Sequence, residues 1–179
     1  MISGPALRLH DRFAQMAGAR WTTLQGQEVP QKPVTVSPDE AYWNEHLELA
    51  RDPARGHKID QATLEEASVA VHAQASGVLR QVQREGTGHS EFTDWQSRCW
   101  DVKSPISPPP DKEWWVFDPN HEAEVVHNEV AGDEGVLLNL TRCNPRDASA
   151  LRQALLERLQ PWESSKVLVL SATAAGEKP

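Results

Sequence analysis

The stretch Phe92–Pro105, FTDWQSRCWDVKSP, carries the pattern that decides the predicted fold. Its segment CWDVK alternates in a way that is typical of a β-strand with two different faces. Residues two apart on a strand share a face, so Asp101 and Lys103 are expected to lie side by side. Trp100 and Val102 would then point to the other side, into a core.

A second aspartate, Asp94, stands seven residues before Asp101, beyond the polar segment Gln96-Ser97-Arg98. This segment can turn the chain back, so the sequence predicts a hairpin that brings the two carboxylates together. Two carboxylates on paired strands form an oxygen site for a hard cation such as Mg²⁺ or Mn²⁺. A lysine beside them can stabilise the charge that develops on a phosphate under attack. The arrangement therefore indicates a metal-dependent phosphodiesterase.

The same spacing also has a purely structural interpretation. Asp101 and Lys103 can form an exposed ion pair on the solvent face of a half-buried strand, a contact that contributes ~0–1 kcal/mol. The pattern D-x-K occurs by chance in many acidic proteins. Spacing by itself therefore leaves both interpretations open.

Length and composition set limits on the possible functions. A chain of 179 residues suits one domain with a core of its own. The formal net charge of −8 counts against nucleic-acid binding, because proteins that bind nucleic acid usually carry a basic surface. Two cysteines, Cys99 and Cys143, do not make a disulfide framework. No apolar run approaches the ~20 residues of a membrane span, and no Sec-type signal is visible at the N-terminus.

Helical and strand patterns surround the hairpin. Thr63 is expected to begin the main helix, because Thr63 and Glu66 match a capping box. Trp114–Phe117 is apolar throughout and is predicted as a third, central strand. A helix at about 120–130, a strand at 135–141, a helix at 148–159 and a strand at 166–171 follow. The last two strands should be parallel, because a βαβ crossover returns the chain in the same direction.

The residues WDVKSP, an aspartate one hairpin upstream and a Glu-Ala-bearing helix before it resemble the core of restriction-endonuclease-like nucleases, the PD-(D/E)xK superfamily. The likeness is to the nuclease toxin domains of bacterial polymorphic and contact-dependent inhibition toxins. It covers roughly residues 50–170, and its specific part comprises Glu65-Glu66-Ala67, Asp94 and Asp101–Pro105. The resemblance implies an α/β fold with a restriction-endonuclease-like αβββαβ core, in which helices flank a central mixed sheet.

The resemblance also implies an Mg²⁺-dependent endonuclease that hydrolyses phosphodiester bonds in DNA or RNA, including tRNA. Asp94, Asp101 and Glu66 would hold the metal, and Lys103 would be catalytic beside them. Glu66 can do so only if it does not turn back to cap the helix, and Glu65 is the alternative. Substrate contacts are expected from a further set of polar residues: Gln74, Ser104 and Arg98.

A toxin domain of this kind implies a cognate immunity protein and delivery into the cytoplasm of a target cell by a route other than Sec. Gln74 stands where related toxin domains often carry a further glutamate. Together with the net charge of −8, this substitution favours an alternative, a non-catalytic binding protein. That protein would be a degenerate nuclease fold or an acidic immunity partner, and it would be cytoplasmic.

Proline content and the helical patterns divide the chain into three parts. Residues 1–38 are expected to be an N-terminal extension or linker, in which 7–19 can form a short helix. Residues 39–171 are the expected nuclease-like domain, and 172–179 are a polar, flexible tail.

Overall fold

A computed structural model describes residues 1–172, and it confirms the predicted α/β class. The helices are α1 (Gly4–Met16), α2 (Glu40–His46), α3 (Gln61–Ala75), α4 (Pro119–Ala131), α5 (Pro145–Arg158) and α6 (Pro161–Ser164). The strands are β1 (Arg20–Thr23), β2 (Gln83–Arg84), β3 (Phe92–Thr93), β4 (Cys99–Lys103), β5 (Gly135–Asn139) and β6 (Val167–Ser171). The strands form one mixed sheet in the order β1-β6-β5-β4-β3-β2.

The chain divides into two compact units. The first comprises Met1–Gly18 and Pro30–Val102, and the second comprises Ala19–Val29 and the chain from Lys103 onward. This division does not coincide with the predicted boundary between residues 38 and 39. The predicted tail lies outside the described residues from position 173 onward.

Helix α3 is the centre of the first unit, and most of its residues are buried. Its N-cap is Asp60, whose carboxylate accepts a hydrogen bond from the Thr63 backbone N–H at 2.8 Å. The Thr63 hydroxyl accepts from the Asp60 N–H at 2.9 Å, which completes a capping box. The helix thus begins before Thr63. The residue that closes the capping box is Thr63, whereas the sequence analysis predicted Glu66 in that role.

The segment predicted as an extension or linker, residues 1–38, contains two regular elements. The amphipathic pattern of α1 buries Leu9 and Phe13 completely, and the Phe13 ring lies 5.8 Å from the ring of His72 in α3. In the second unit, β1 pairs antiparallel with β6, from Arg20 opposite Ser171 to Thr23 opposite Leu168. These residues are part of the fold because their apolar side chains have partners far along the chain.

The predicted hairpin around Asp94 is confirmed. β3 and β4 are antiparallel, with Phe92 opposite Trp100 and Thr93 opposite Cys99, and β2 pairs with β3. Three strands therefore follow α3, as predicted, but the third one is not Trp114–Phe117. Those residues are all described and contain no strand, because backbone hydrogen bonds from Lys112 to Pro109 and from Trp115 to Lys112 fold the segment into turns.

The second unit is built on β5 and β6, which are parallel, with Val136 opposite Val167 and Asn139 opposite Leu170. The predicted βαβ crossover through α5 is thereby confirmed. Helices α4 and α5 cover these strands with a shared apolar core. Its fully buried members include Val126, Val130, Val136, Leu138, Leu151, Leu155 and Val169. Among residues 1–172, none of the helices combines the length and apolar character that a bilayer crossing requires.

Candidate functional site

The pair Asp101 and Lys103 lies on β4, where the alternation of a strand gives both side chains the same face. Asp101 is only 7% exposed, whereas Lys103 is partly exposed. A carboxylate with so little contact with water does not match the exposed ion pair that the sequence left open. Burying such a group is costly unless charged or hydrogen-bonding partners compensate for the lost hydration.

Lys103 lies against an acid on α4. Its ammonium Nζ is 3.1 Å from Oε1 of Glu129, and both side chains remain partly exposed. Glu129 belongs to the last turns of α4, the helix that packs on β5 within the second unit. Glu129 is not among the predicted site residues, because no spacing rule connects a residue of this helix to a lysine on an earlier strand.

Two carboxylates of the second unit lie close together, and one of them contacts Lys103. Glu129 and Glu134 can each offer one oxygen, and these oxygens lie within 4.8 Å of each other. Glu134 is buried and directly precedes β5. Carboxylate oxygens are the donors that Mg²⁺ and Mn²⁺ prefer, so the donor chemistry fits the predicted cation. Neither glutamate belongs to the predicted ligand set.

The carboxylate of Asp94 is engaged by its own hairpin turn. One oxygen accepts hydrogen bonds from the backbone N–H groups of Gln96 and Arg98, at 2.9 and 3.1 Å. The other accepts from the indole Nε1 of Trp100 at 3.0 Å. Trp100 and Asp101 are neighbours on β4 and point to opposite faces, so Asp94 lies on the face away from Asp101. The register thus separates the two carboxylates that the sequence analysis brought to one cation.

The two glutamates of α3 are held by arginines within the first unit. Glu66 lies 3.0 Å from Nη1 of Arg84, whose Nη2 is 2.8 Å from Asp52. Glu65 accepts from Arg12 through both oxygens, at 2.5 and 2.9 Å. Arginine pairs with this geometry fix the first unit, and they account for both acids without a metal.

The three expected substrate contacts lie in different places. Gln74 accepts from the Val82 N–H at 2.8 Å and lines a cavity of about 560 Å³ in the first unit. Arg98 is exposed in the hairpin turn, where its N–H donates to Asp94. Ser104 directly follows Lys103, and its hydroxyl accepts from the Asn139 side chain at 3.2 Å. Of the three, Ser104 is the one beside the D-x-K pair.

A second cavity, of about 400 Å³, opens beside Lys103 in the second unit. It is lined by a lysine, by aromatic side chains and by the N-terminal end of α4. Its lining includes Lys103, Ser104, Pro105, Trp115, Asp118 and His121. The D-x-K lysine thus faces a space large enough for a small ligand, since ligand sites typically occupy ~300–1,000 Å³.

Protein-family profiles, curated protein sequences and solved structures were all compared with the chain, and none matches it. The resemblance to PD-(D/E)xK nucleases therefore stays a prediction that rests on WDVKSP, the upstream aspartate and the preceding helix.

Proposed function

We propose that the chain is a metal-dependent nuclease with a restriction-endonuclease-like core, of the kind found in bacterial toxins. The observation that carries this proposal is the D-x-K pair on β4, with a buried Asp101 and with Lys103 at 3.1 Å from Glu129. From α3 onward the order is a helix, three strands, a helix, a strand, a helix, the short α6 and a strand, and apart from α6 it agrees with such a core.

Asp101 is proposed to bind the catalytic cation, as the resemblance to PD-(D/E)xK nucleases implies. In the second unit, Glu129 and Glu134 offer oxygens within 4.8 Å of each other, and oxygen donors of this kind suit Mg²⁺ or Mn²⁺. Such an ion would supply Lewis-acid polarisation of a phosphoryl oxygen and a bound water of lowered pKa.

The ammonium of Lys103 is proposed to stabilise the negative charge that grows on the phosphate oxygens during hydrolysis. A positioned cation of this kind acts more strongly near a low-dielectric core than in bulk water. Glu129 orients the ammonium through its 3.1 Å contact. Ser104 extends the same polar edge toward the cavity beside Lys103.

The experiment incubates the purified chain with plasmid DNA and with total RNA, in Mg²⁺, in Mn²⁺ and in EDTA. Lys103→Met should lower the cleavage rate by ~10²-fold or more, because it removes a transition-state cation. Lys166→Met is the matched control, since Lys166 also pairs with an acid, Asp133, at 2.7 Å. Cleavage that persists in EDTA, or that Lys103→Met leaves unchanged, contradicts the mechanism.

The second candidate is a non-catalytic binding protein, either a degenerate nuclease fold or an acidic immunity partner. The net charge of −8 favours it, as does Gln74, which is hydrogen-bonded to Val82 and stands where a glutamate is expected. This candidate predicts no EDTA-sensitive cleavage of either nucleic acid. It also predicts a stable complex with a basic protein that survives gel filtration.

A further inference from the structure

An exposed apolar segment lies on the loop between β4 and α4. Trp114 is 78% exposed, Trp115 39% and Val116 79%. Contiguous apolar side chains at the surface usually mark a binding site, because water-exposed tryptophan is unfavourable without a ligand. The ammonium of Lys112 lies 5.8 Å from the Trp114 ring, so a cation already accompanies one of the two indoles.

The loop that carries these side chains is anchored at its beginning. The Ser107 hydroxyl donates to Asp147 at 2.6 Å and accepts from the Asn144 N–H at 2.8 Å. The Ser107 N–H donates to the Arg142 carbonyl at 3.2 Å. Pro108-Pro109-Pro110 stiffens the next three residues, and Trp115 donates its N–H to Lys112 at 3.0 Å. The indole of Trp115 is therefore held on a fixed backbone.

Trp115 also lines the cavity of about 400 Å³ beside Lys103. The same cavity contains the imidazole of His121 and the hydroxyl of Ser104. Asp118 and Glu122 complete its acidic side, and Asp118 caps α4 by accepting from the N–H groups of Asn120 and His121. The cavity thus offers one ammonium, the aromatic rings of Trp115 and Phe117, and two carboxylates. An aromatic face beside an ammonium suits a planar, neutral group joined to a single phosphate.

We propose that Trp115 stacks on the base of one unpaired nucleotide whose phosphate lies at Lys103, so that the substrate is single-stranded nucleic acid. The proposal rests on the nuclease function proposed for the same site. Every base offers a π-face, so stacking on an aromatic side chain tolerates any sequence, and the contact itself involves uncharged surface. Stacking therefore gives a protein of net charge −8 a way to hold nucleic acid without wide contacts to phosphates.

The geometry favours unpaired bases over a duplex. A base inside a double helix already stacks on both neighbours, and pulling it out costs a few kcal/mol. Asp118 and Glu122 would also repel the phosphates of a second strand. Single-stranded DNA and single-stranded RNA share the chemistry that Trp115 recognises, so both are tested.

The test measures the Kd of fluorescent single-stranded DNA and RNA 12-mers, and of the matching duplexes, in EDTA, where a metal-dependent nuclease does not cleave. Trp115→Ala should raise the Kd of the single strands by about tenfold or more, whereas Trp115→Phe should raise it by a few-fold at most. Trp162→Ala is the matched control, because Trp162 is 61% exposed and also has a lysine, Lys166, 5.1 Å from its ring. That variant should bind like the unaltered chain. Thermal unfolding of each variant checks that its fold is intact.

Two further readouts separate stacking from charge and from protein binding. The slope of log Kd against log salt should correspond to only one or two phosphate contacts, which is shallow for a nucleic-acid binder. Equal Kd values for Trp115→Ala and the unaltered chain overturn the subsite, as does a duplex that binds as well as the single strand. Loss of binding to a protein partner, with the oligonucleotide Kd unchanged, also overturns it and assigns the loop to protein recognition.

Failure of the subsite and failure of the nuclease are distinguishable. EDTA-sensitive cleavage that does not depend on Trp115 overturns the subsite alone. Binding that depends on Trp115, without cleavage in Mg²⁺ or Mn²⁺, supports the subsite and overturns the nuclease. Comparison of the DNA and RNA arms then shows which sugar the site accepts.

Discussion

Asp94 and Asp101 belong to the same hairpin and are almost equally buried, at 8% and 7% exposure, yet their surroundings differ. Asp94 accepts three N–H donors from residues of its own turn and strand: Gln96, Arg98 and Trp100. Asp101 stands two residues before Lys103 on β4, so the two side chains share a face of the strand. Burial alone therefore does not identify a functional acid. N–H donors from a turn hold the Asp94 carboxylate for the fold, whereas a lysine on the same face of the strand gives Asp101 the D-x-K pattern of the proposed site.

The same contrast separates the acids of α3 from those near β5. Glu65 and Glu66 each lie against an arginine, so their charges are already balanced by the protein. In the second unit, Glu129 lies 3.1 Å from the ammonium of Lys103, and an oxygen of Glu134 lies within 4.8 Å of one of Glu129. The acids with arginine partners explain how the first unit is held together, and the two glutamates near Lys103 supply oxygen donors that suit a metal.

The largest expected effect is on the cleavage rate. If it is not observed, the contrast between Asp94 and Asp101 does not hold. Asp101→Asn keeps the size of the side chain but removes its charge, so it should lower the Mg²⁺-dependent cleavage rate by ~10²-fold or more. Asp94→Asn should keep most of that rate at temperatures where the variant is folded. Initial rates on the preferred nucleic acid measure both. Equal losses in the two variants would show that both aspartates serve one site.

For stability, in contrast, the substitution of Asp94 should have a larger effect than the substitution of Asp101. Asp94→Ala leaves the buried indole N–H of Trp100 and two turn N–H groups without their acceptor, which should lower the free energy of unfolding by about 3 kcal/mol. Asp101→Asn should cost less, because asparagine keeps the size of the side chain and an oxygen that accepts hydrogen bonds. Urea unfolding followed by tryptophan fluorescence measures the difference. A larger loss for Asp101→Asn would reverse the roles assigned to the two residues.

The effect of metal binding on the Tm should also distinguish Asp101 from Asp94. At a Mn²⁺ concentration about 100 times its Kd, binding should add about 2.7 kcal/mol of stability. For a chain of this size, that gain raises the Tm by ~5–10 °C. The rise should disappear in Asp101→Asn and persist in Asp94→Asn. Calorimetric scans with and without EDTA test this, and a Tm that Mn²⁺ does not change in the unaltered chain argues against Asp101 as a metal ligand.

The elements that local sequence determines were predicted well. The hairpin, the parallel β5 and β6 and the α5 crossover all follow from short-range periodicity and turn residues. The position of Trp114–Phe117 was wrong, because four apolar residues in a row also occur in exposed loops, and periodicity does not distinguish these cases. The start of α3 was misplaced because Thr63 can serve either as the N-cap or as its partner.

The candidate site was predicted only in part, for a physical reason. Asp101 and Lys103 share a face because a strand alternates, and this relation is local. Whether Asp94 lies near them depends on the face of the sheet to which its carboxylate points. The hydrogen bond from the Trp100 indole holds it on the face of Trp100. Glu129 lies on a helix and Glu134 directly before a strand, both much later in the chain than Lys103, so no spacing rule links them to it. One local signal existed, since an acid such as Glu134 directly before a buried strand has little access to water.

The smallest expected effect concerns the segment that follows Lys103. The Cys143 thiol donates to the Pro105 carbonyl at 3.3 Å and so anchors this segment. Burial, with a contribution from the Asp147 carboxylate, raises the pKa of Cys143 to about 11. At pH 8 only ~0.1% of such a thiol is ionised, so iodoacetamide should modify Cys143 ~10²-fold more slowly than an exposed cysteine. Because the folded pKa is the higher one, stability should fall as the pH rises from about 8.5 toward 11. Intact-mass spectrometry over time measures the labelling, with the chain in urea as the reactive control. Rapid modification in native buffer would mean that the chain after β4 opens, and that Lys103 is held less firmly than its contact with Glu129 indicates.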